Sequence, residues 1–249
     1  MKFFDANVCV GLGTRETPGA VADAAALLAA MDGAGLDRAL VWHLAQHDLS
    51  PPDGNRLLAE ALAGCPRLVG TWALLPPQTG ETIVPGFFAA MDAAGVRALR
   101  AFPEPHRFLM RRAVFGGFLD EVSDRRIPLL VSLERGFNWP AVYDLLEAYP
   151  RLTCVLCDVG IWGQDRNVWP LLEGFERVYA ETSLVSLEAG GLEAGVRRFG
   201  AGRYLFGSAF PFRYPEAPIM DLLHADLPEE DKRAIAGGNL ARLLAEVRL

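Results

Sequence analysis

Ile127-Pro128-Leu129-Leu130-Val131-Ser132-Leu133, then Pro140 to Tyr149, then Thr153-Cys154-Val155-Leu156-Cys157 form the stretch whose reading decides the fold. The outer two pieces are short, nearly continuous apolar runs, as expected of strands buried on both faces. The middle piece has helical spacing and is stopped by Pro150 before the next strand. Strand, helix and strand in this order predict two parallel strands joined by a crossover helix.

The same alternation extends in both directions. Strands are expected near Phe3–Val8, Ala39–His43, Val69–Leu74, Val96–Ala101, Pro128–Leu133, Thr153–Cys157, Val178–Thr182 and Tyr204–Phe206. Amphipathic segments fill the intervals at Ala20–Ala34, Arg56–Ala63, Thr82–Ala93, Val114–Arg126, Pro140–Tyr149, Leu187–Phe199 and Pro215–Leu223. Gly35, Gly64, Gly95 and Gly200 each follow a helical pattern, where a left-handed cap is needed, and Pro66 precedes the next strand. Glu229–Leu249 reads as one or two closing helices. About eight such units in 249 residues favour an α/β fold closed as a (β/α)8 TIM barrel, one domain over residues 1–249.

Bulk properties narrow the function. Hydrophobic residues make up 51% and the formal charge is -7. An acidic chain disfavours nucleic acid as the main partner. The longest apolar stretch, Ala20 to Met31, is too short to span a bilayer and no secretory leader is visible, so a cytoplasmic protein without a membrane partner is expected. Cys9, Cys65, Cys154 and Cys157 are too few for a disulfide framework.

Specific motifs then point to a family. Phe4-Asp5-Ala6-Asn7-Val8-Cys9-Val10-Gly11 is similar to the opening strand of the amidohydrolase-related (type 2) family, which reads Asp-x-His-x-His before a glycine. Gly95–Arg100 resembles that family's fourth strand and Ile127–Ser132 its fifth, which normally ends in His. Tyr149–Leu152 leading to Asp158-Val159-Gly160 resembles the sixth, normally ending His-x-Gly. Val178–Ser183 resembles a strand that usually has Asp in place of Glu181. Leu205–Pro211 resembles Phe-Gly-Ser-Asp-x-Pro, and Asn239–Leu244 the terminal Asn-Ala-x-x-Leu helix. The resemblance spans nearly the whole chain and implies a barrel hydrolase. The metal ligands it implies are replaced: the expected four His and one Asp stand as Asn7, Cys9, Ser132, Asp158 and Ala209. Catalytic zinc needs about three good ligands. No metal and no other cofactor is therefore expected, with a rebuilt site on Cys9 and Asp158, helped by Glu134 or Glu181, as the competing reading.

The site of such a barrel lies at the C-terminal ends of its strands. Asp158, Glu134 and Glu181 read there as catalytic carboxylates able to divide acid and base roles, or alternatively as partners of Arg100 or Arg135. Arg100 suits a substrate carboxylate or phosphate. Asn7, Ser132, His43 and His106 are further substrate-contact candidates. His43 and His47 lie four apart but in a segment read as a loop, without a third ligand. His224 reads as structural. An inward Asp158 places Cys154 inward and Cys157 outward, which separates that pair. Cys9 reads as a packed thiol near the mouth. Trp42, Trp72, Trp139, Trp162 and Trp169 fall near strand ends and suit either a pocket or the core. The sum is a hydrolase acting without a metal on a small carboxylated or lactone-like molecule; the alternative is a non-catalytic barrel that binds a ligand or partner. A homodimer is compatible with either.

Overall fold

A computed structural model describes residues 1–14, 16–160, 163–184 and 190–249. Eight strands form one sheet in chain order: β1 (Phe4–Val10), β2 (Arg38–His43), β3 (Leu68–Leu74), β4 (Val96–Ala101), β5 (Leu129–Ser132), β6 (Cys154–Cys157), β7 (Val178–Glu181) and β8 (Tyr204–Leu205). Consecutive strands pair in parallel throughout. The Ala6 amide donates to Phe206 O (2.9 Å) and the Cys9 amide to Phe210 O (2.8 Å), bringing the β8 end back to β1. The molecule is a single (β/α)8 barrel.

Alternating residues build two apolar layers. Phe4, Leu40, Val69, Ala98, Leu130, Val155, Tyr179 and Leu205 point into the barrel and pack together, closed at one end by Leu240 and Leu243 of the last helix. The opposite faces meet the helices: Val41, Leu99, Val131, Leu156 and Val178 pack with Leu27, Leu58, Leu119 and Leu145. Strands covered on both sides are why the sequence shows apolar runs rather than alternation.

The crossover helices follow the expected order. They include α1 (Ala24–Ala34), α2 (Ala45–Asp48), α3 (Pro51–Leu62), α4 (Phe87–Ala93), α5 (Arg112–Phe115), α6 (Phe118–Asp124), α7 (Trp139–Ala148), α8 (Asp165–Gly174), α9 (Gly191–Phe199) and α10 (Glu216–His224). Asp23, Ser50 and Asn138 cap α1, α3 and α7 by accepting backbone N–H groups. Val114–Arg126 is two helices rather than one, because Gly116 takes φ 49 between them. Thr82–Ala93 begins only at Phe87, after Gly86 at φ 83. The expected start at Leu187 lies outside the described residues. The C-terminal region divides into α11 (Glu229–Arg233), a π turn (Ala234–Gly238) and α12 (Asn239–Ala245). Among the described residues no helix is long and apolar enough to cross a membrane.

Candidate active site

Two backbone irregularities aim polar groups at the barrel mouth. β1 changes register between Asp5 and Val8. Phe4 and Ala6 therefore pack inside the barrel while Val8 and Val10 pack outside, and Asn7 and Cys9 return to the interior at the mouth. The buried Asp5 carboxylate fixes this bulge. Its Oδ1 accepts the amides of Asn7 (2.9 Å) and Ser208 (3.0 Å), tying β1 to the segment after β8. The second irregularity is Asp158, which follows β6 in the left-handed region at φ 54.

That turn corrects the expected facing of the two cysteines. Cys157 points into the barrel and Cys154 outward, the reverse of strict alternation from Asp158. Asp158 lies beyond the strand, and its left-handed backbone redirects the side chain. The two thiols still occupy opposite faces. Burial raises both, Cys154 to about 12.

A buried polar chain crosses the mouth. Arg100 Nη2 donates to Asn7 Oδ1 (2.9 Å), and Asn7 Nδ2 donates to Asp158 Oδ1 (3.1 Å). Ser132 Oγ donates to Asp158 Oδ2. The Asp158 amide donates to Glu181 Oε1 (2.7 Å), which also accepts Ser183 Oγ (2.6 Å), while Glu181 Oε2 accepts the Ser183 amide (2.8 Å). Burial, reinforced by the negative charge of Asp158, raises Glu181 to about 7. Asp5 is raised to about 6 by burial, against the opposing pull of Ser208 and the two amides. Gly207 makes this packing possible: a Cβ there would lie 2.2 Å from Glu181 Oε2.

The anticipated residues divide into two groups. Asn7, Arg100, Ser132, Asp158 and Glu181 form the buried chain. Glu134 does not join it. β5 ends at Ser132, so the face-sharing expected of Glu134 is lost in the following turn; its exposed carboxylate accepts from Arg213 Nη2 (2.6 Å). Nor, among the described residues, does Arg100 pair with Asp158 or Glu134, as the structural alternative required; it is linked to Asp158 through Asn7. His43 ends β2 and its Nδ1 accepts the Ala45 amide (3.1 Å). His47 lies on the short helix α2 rather than in a loop, against Asp48 Oδ1 (2.7 Å). His106 contacts Gln46 O through Nε2 (2.9 Å) and, with His47, lines a cavity at the rim. Burial lowers His43 and His106. Of the tryptophans, Trp42 is buried at the mouth beside Cys9 and Phe102. Trp162 lies outside the described residues.

Arg135, expected as an ion-pair partner of the carboxylates, stands instead against aromatic rings. Its guanidinium lies over the Phe212 ring (3.7 Å to the centroid) and faces Trp42 (5.6 Å). Its charge acts on both Cys9 and Asp158. A basic residue two positions after a strand was visible in the sequence, but its stacking partner Phe212 is 77 residues away in the chain.

This donor set does not fit a catalytic zinc. Both Asp158 oxygens already accept hydrogen bonds, and the Asn7 oxygen faces a guanidinium. Burial raises the Cys9 thiol, and its Sγ points to Val10 O (3.6 Å). Ala209 offers no ligand atom. Among the described residues no group of three or more His, Cys, Asp or Glu could hold a metal.

Residues 13–245 match the family model described as Amidohydrolase. The chain belongs to the amidohydrolase family. The matched region begins just after β1, the strand that carries the Asn7 and Cys9 departures. No curated protein sequence matches. Similar solved structures include an uncharacterised TIM-barrel protein from Bordetella bronchiseptica (15% identity, TM-score 0.75, 99% of each chain covered). Another is 5-carboxyvanillate decarboxylase from Sphingomonas paucimobilis (15% identity, TM-score 0.75, 99% of each chain). A third, from Pseudomonas putida, is provisionally named 2-pyrone-4,6-dicarboxylic acid hydrolase (16% identity, TM-score 0.72, 98% of each chain). At these identities the likeness concerns the amidohydrolase fold.

Proposed function

We propose that this amidohydrolase acts as an enzyme on a small carboxylated or lactone-like substrate, and does so without a metal. The observation that carries the proposal is the buried chain Arg100–Asn7–Asp158–Ser132, with Glu181 behind it. It combines a fixed cation, an oriented carboxylate and a second carboxyl that holds its proton near neutral pH. A carboxyl raised toward neutral pH beside a second carboxyl is suited to divided acid and base work. The neighbouring decarboxylase and pyrone dicarboxylate hydrolase names agree with a carboxylated substrate.

In this reading Asp158 takes a proton from water as the water oxygen bonds to the substrate carbonyl carbon. The negative charge formed on the carbonyl oxygen is met by an Asn7 donor, while Arg100 holds the carboxylate of the substrate. As that oxygen re-forms the carbonyl, the ring C–O bond breaks and the leaving oxygen receives the proton from Asp158. Ser132 and Asn7 hold the Asp158 carboxylate in place, and Glu181 fixes the strained turn that presents it. His43 and His106 lie farther out, where they contact the non-reacting part of the substrate.

The test is hydrolysis of a panel of lactones and cyclic carboxylates followed by proton release. Asp158→Asn is expected to lower turnover by roughly 100-fold or more, the usual scale for a lost general base. Unchanged turnover in that variant removes Asp158 from the reaction. A second reading, a ligand-binding barrel without chemistry, draws on one observation: Ala209 stands where the family resemblance implies a basic Asp. It is favoured if the whole panel is bound but none is turned over.

A further inference from the structure

Arg100 and Arg135 both face the Trp42 ring at the barrel mouth, and among the described residues neither has an ion-pair partner, although the Asp158 charge acts on Arg135. Arginine carries five N–H donors. Arg100 is fully buried, yet among the described residues it makes one side-chain hydrogen bond, to Asn7, and its Nε and Nη1 have no partner. Its guanidinium faces the Trp42 ring at 5.1 Å. Arg135 makes no side-chain hydrogen bond or ion pair among the described residues and is held by its stack on Phe212 and Trp42. Burial weakens the charged form of Arg135 and Arg100 repels it, against the favourable pull of Asp158 and Glu134. Other arginines near buried surface are better partnered: Arg177 donates to Thr153 Oγ1 and Glu246 Oε2, and Arg203 to Val178 O and Phe175 O. Buried donors left unmade are costly, and more so when charged. A bound anion would remove both the missing bonds and the repulsion.

We infer that Arg100 and Arg135 form a two-guanidinium site for a carboxylate, with Arg135 leaving its aromatic stack to meet the incoming anion. Arg135 and Phe212 lie beside Trp42 over a site whose inner residues, Asn7, Arg100, Ser132 and Asp158, are all buried. A carboxylate therefore cannot reach the unpartnered Arg100 donors unless this cover moves. Arg135 is well suited to move, since a cation–π stack is weaker than the charge-assisted fork it would form with a carboxylate. Arg135 is thus an entry and specificity residue, which selects for negative charge before the substrate meets Asp158. This deepens the proposed carboxylated-substrate reading but requires no turnover.

Benzoate serves as the probe, with benzamide as its uncharged counterpart of similar shape. Calorimetry and intrinsic tryptophan fluorescence report binding, and Trp42→Phe assigns the optical signal. Benzoate is expected to bind and to change the Trp42 emission, while benzamide does neither. Arg135→Gln, a substitution at a partly exposed position, is expected to fold normally and to weaken benzoate binding by roughly tenfold or more. Arg135→Lys restores part of the affinity but not the fork geometry. The inference is overturned if benzoate does not bind, if benzamide binds equally well, or if Arg135→Gln leaves the affinity unchanged. Asp158→Asn separates this from the catalytic reading: retained benzoate binding with lost turnover supports both. Retained binding with retained turnover sinks only the catalytic one.

Discussion

Ala209 shows how a single residue can carry a cost that its own chemistry does not explain. It is buried and sits at φ 56, a conformation that disfavours a side chain with a Cβ. Asp158 at φ 54 is of a residue type that tolerates this region better. Ala209→Gly should therefore raise stability by about 0.5–1 kcal/mol, the relief of left-handed strain less the added freedom of the unfolded chain. A denaturant midpoint that falls instead would mean that the alanine methyl contributes more by packing than the backbone loses. At this scale the sequence was informative about identity and weak about direction. The replaced positions, Asn7, Cys9, Ser132, Asp158 and Ala209, were legible because motif spacing marks them. The inward turn of Cys157 was not, because it depends on the left-handed backbone of Asp158, which pattern alone does not encode.

Elements are held in place here by close backbone approaches as much as by apolar faces. The short helix α2 rests against α3 at Gly54, where a Cβ would lie 2.3 Å from the Gln46 backbone nitrogen. Gln46 is fully buried and donates to Asn55 Oδ1 (2.8 Å) and to Thr71 O (2.9 Å), while Asn55 bonds both the amide and the carbonyl of Ala73. This amide pair clamps α2 and α3 to β3 and thereby sets the rim that carries His47. Gly54→Ala should force the two helices apart and lower stability by about 1–3 kcal/mol, the usual cost of overpacking. Chemical denaturation measures it, and a wild-type midpoint would show that the clamp absorbs the methyl. Strands were legible to within a residue or two because buried apolar runs bounded by Gly and Pro leave few alternatives. The α8 helix was missed. Pro170 inside it argues against a helix locally, yet Val168, Leu171 and Leu172 still bury one face. Tertiary burial outweighed the local penalty there.

At the scale of the molecule, the buried carboxyls make stability depend on pH in an unusual direction. Glu181 is raised from 4.5 to about 7 and Asp5 from 3.8 to about 6. The folded state therefore holds these protons more tightly than the unfolded state does. Their contribution is present at acid pH, below the unfolded values, and is lost as pH rises through about 6 to 7. Each loss is on the order of 3 kcal/mol by the linkage relation. Thermal melting from pH 5 to 8 should show declining stability in the natural protein. Glu181→Gln should flatten the upper half of that decline, above the range where Asp5 titrates; an unaltered slope would assign the effect to another group. The covered mouth has a kinetic consequence of its own. If Arg100 and Asp158 can be reached only after Arg135 and Phe212 shift, binding is a two-step process governed by the rarely open form. The observed association rate would then level off as ligand concentration increases, at a ceiling equal to the frequency of opening, and the apparent affinity would be reduced by the fraction of time spent open.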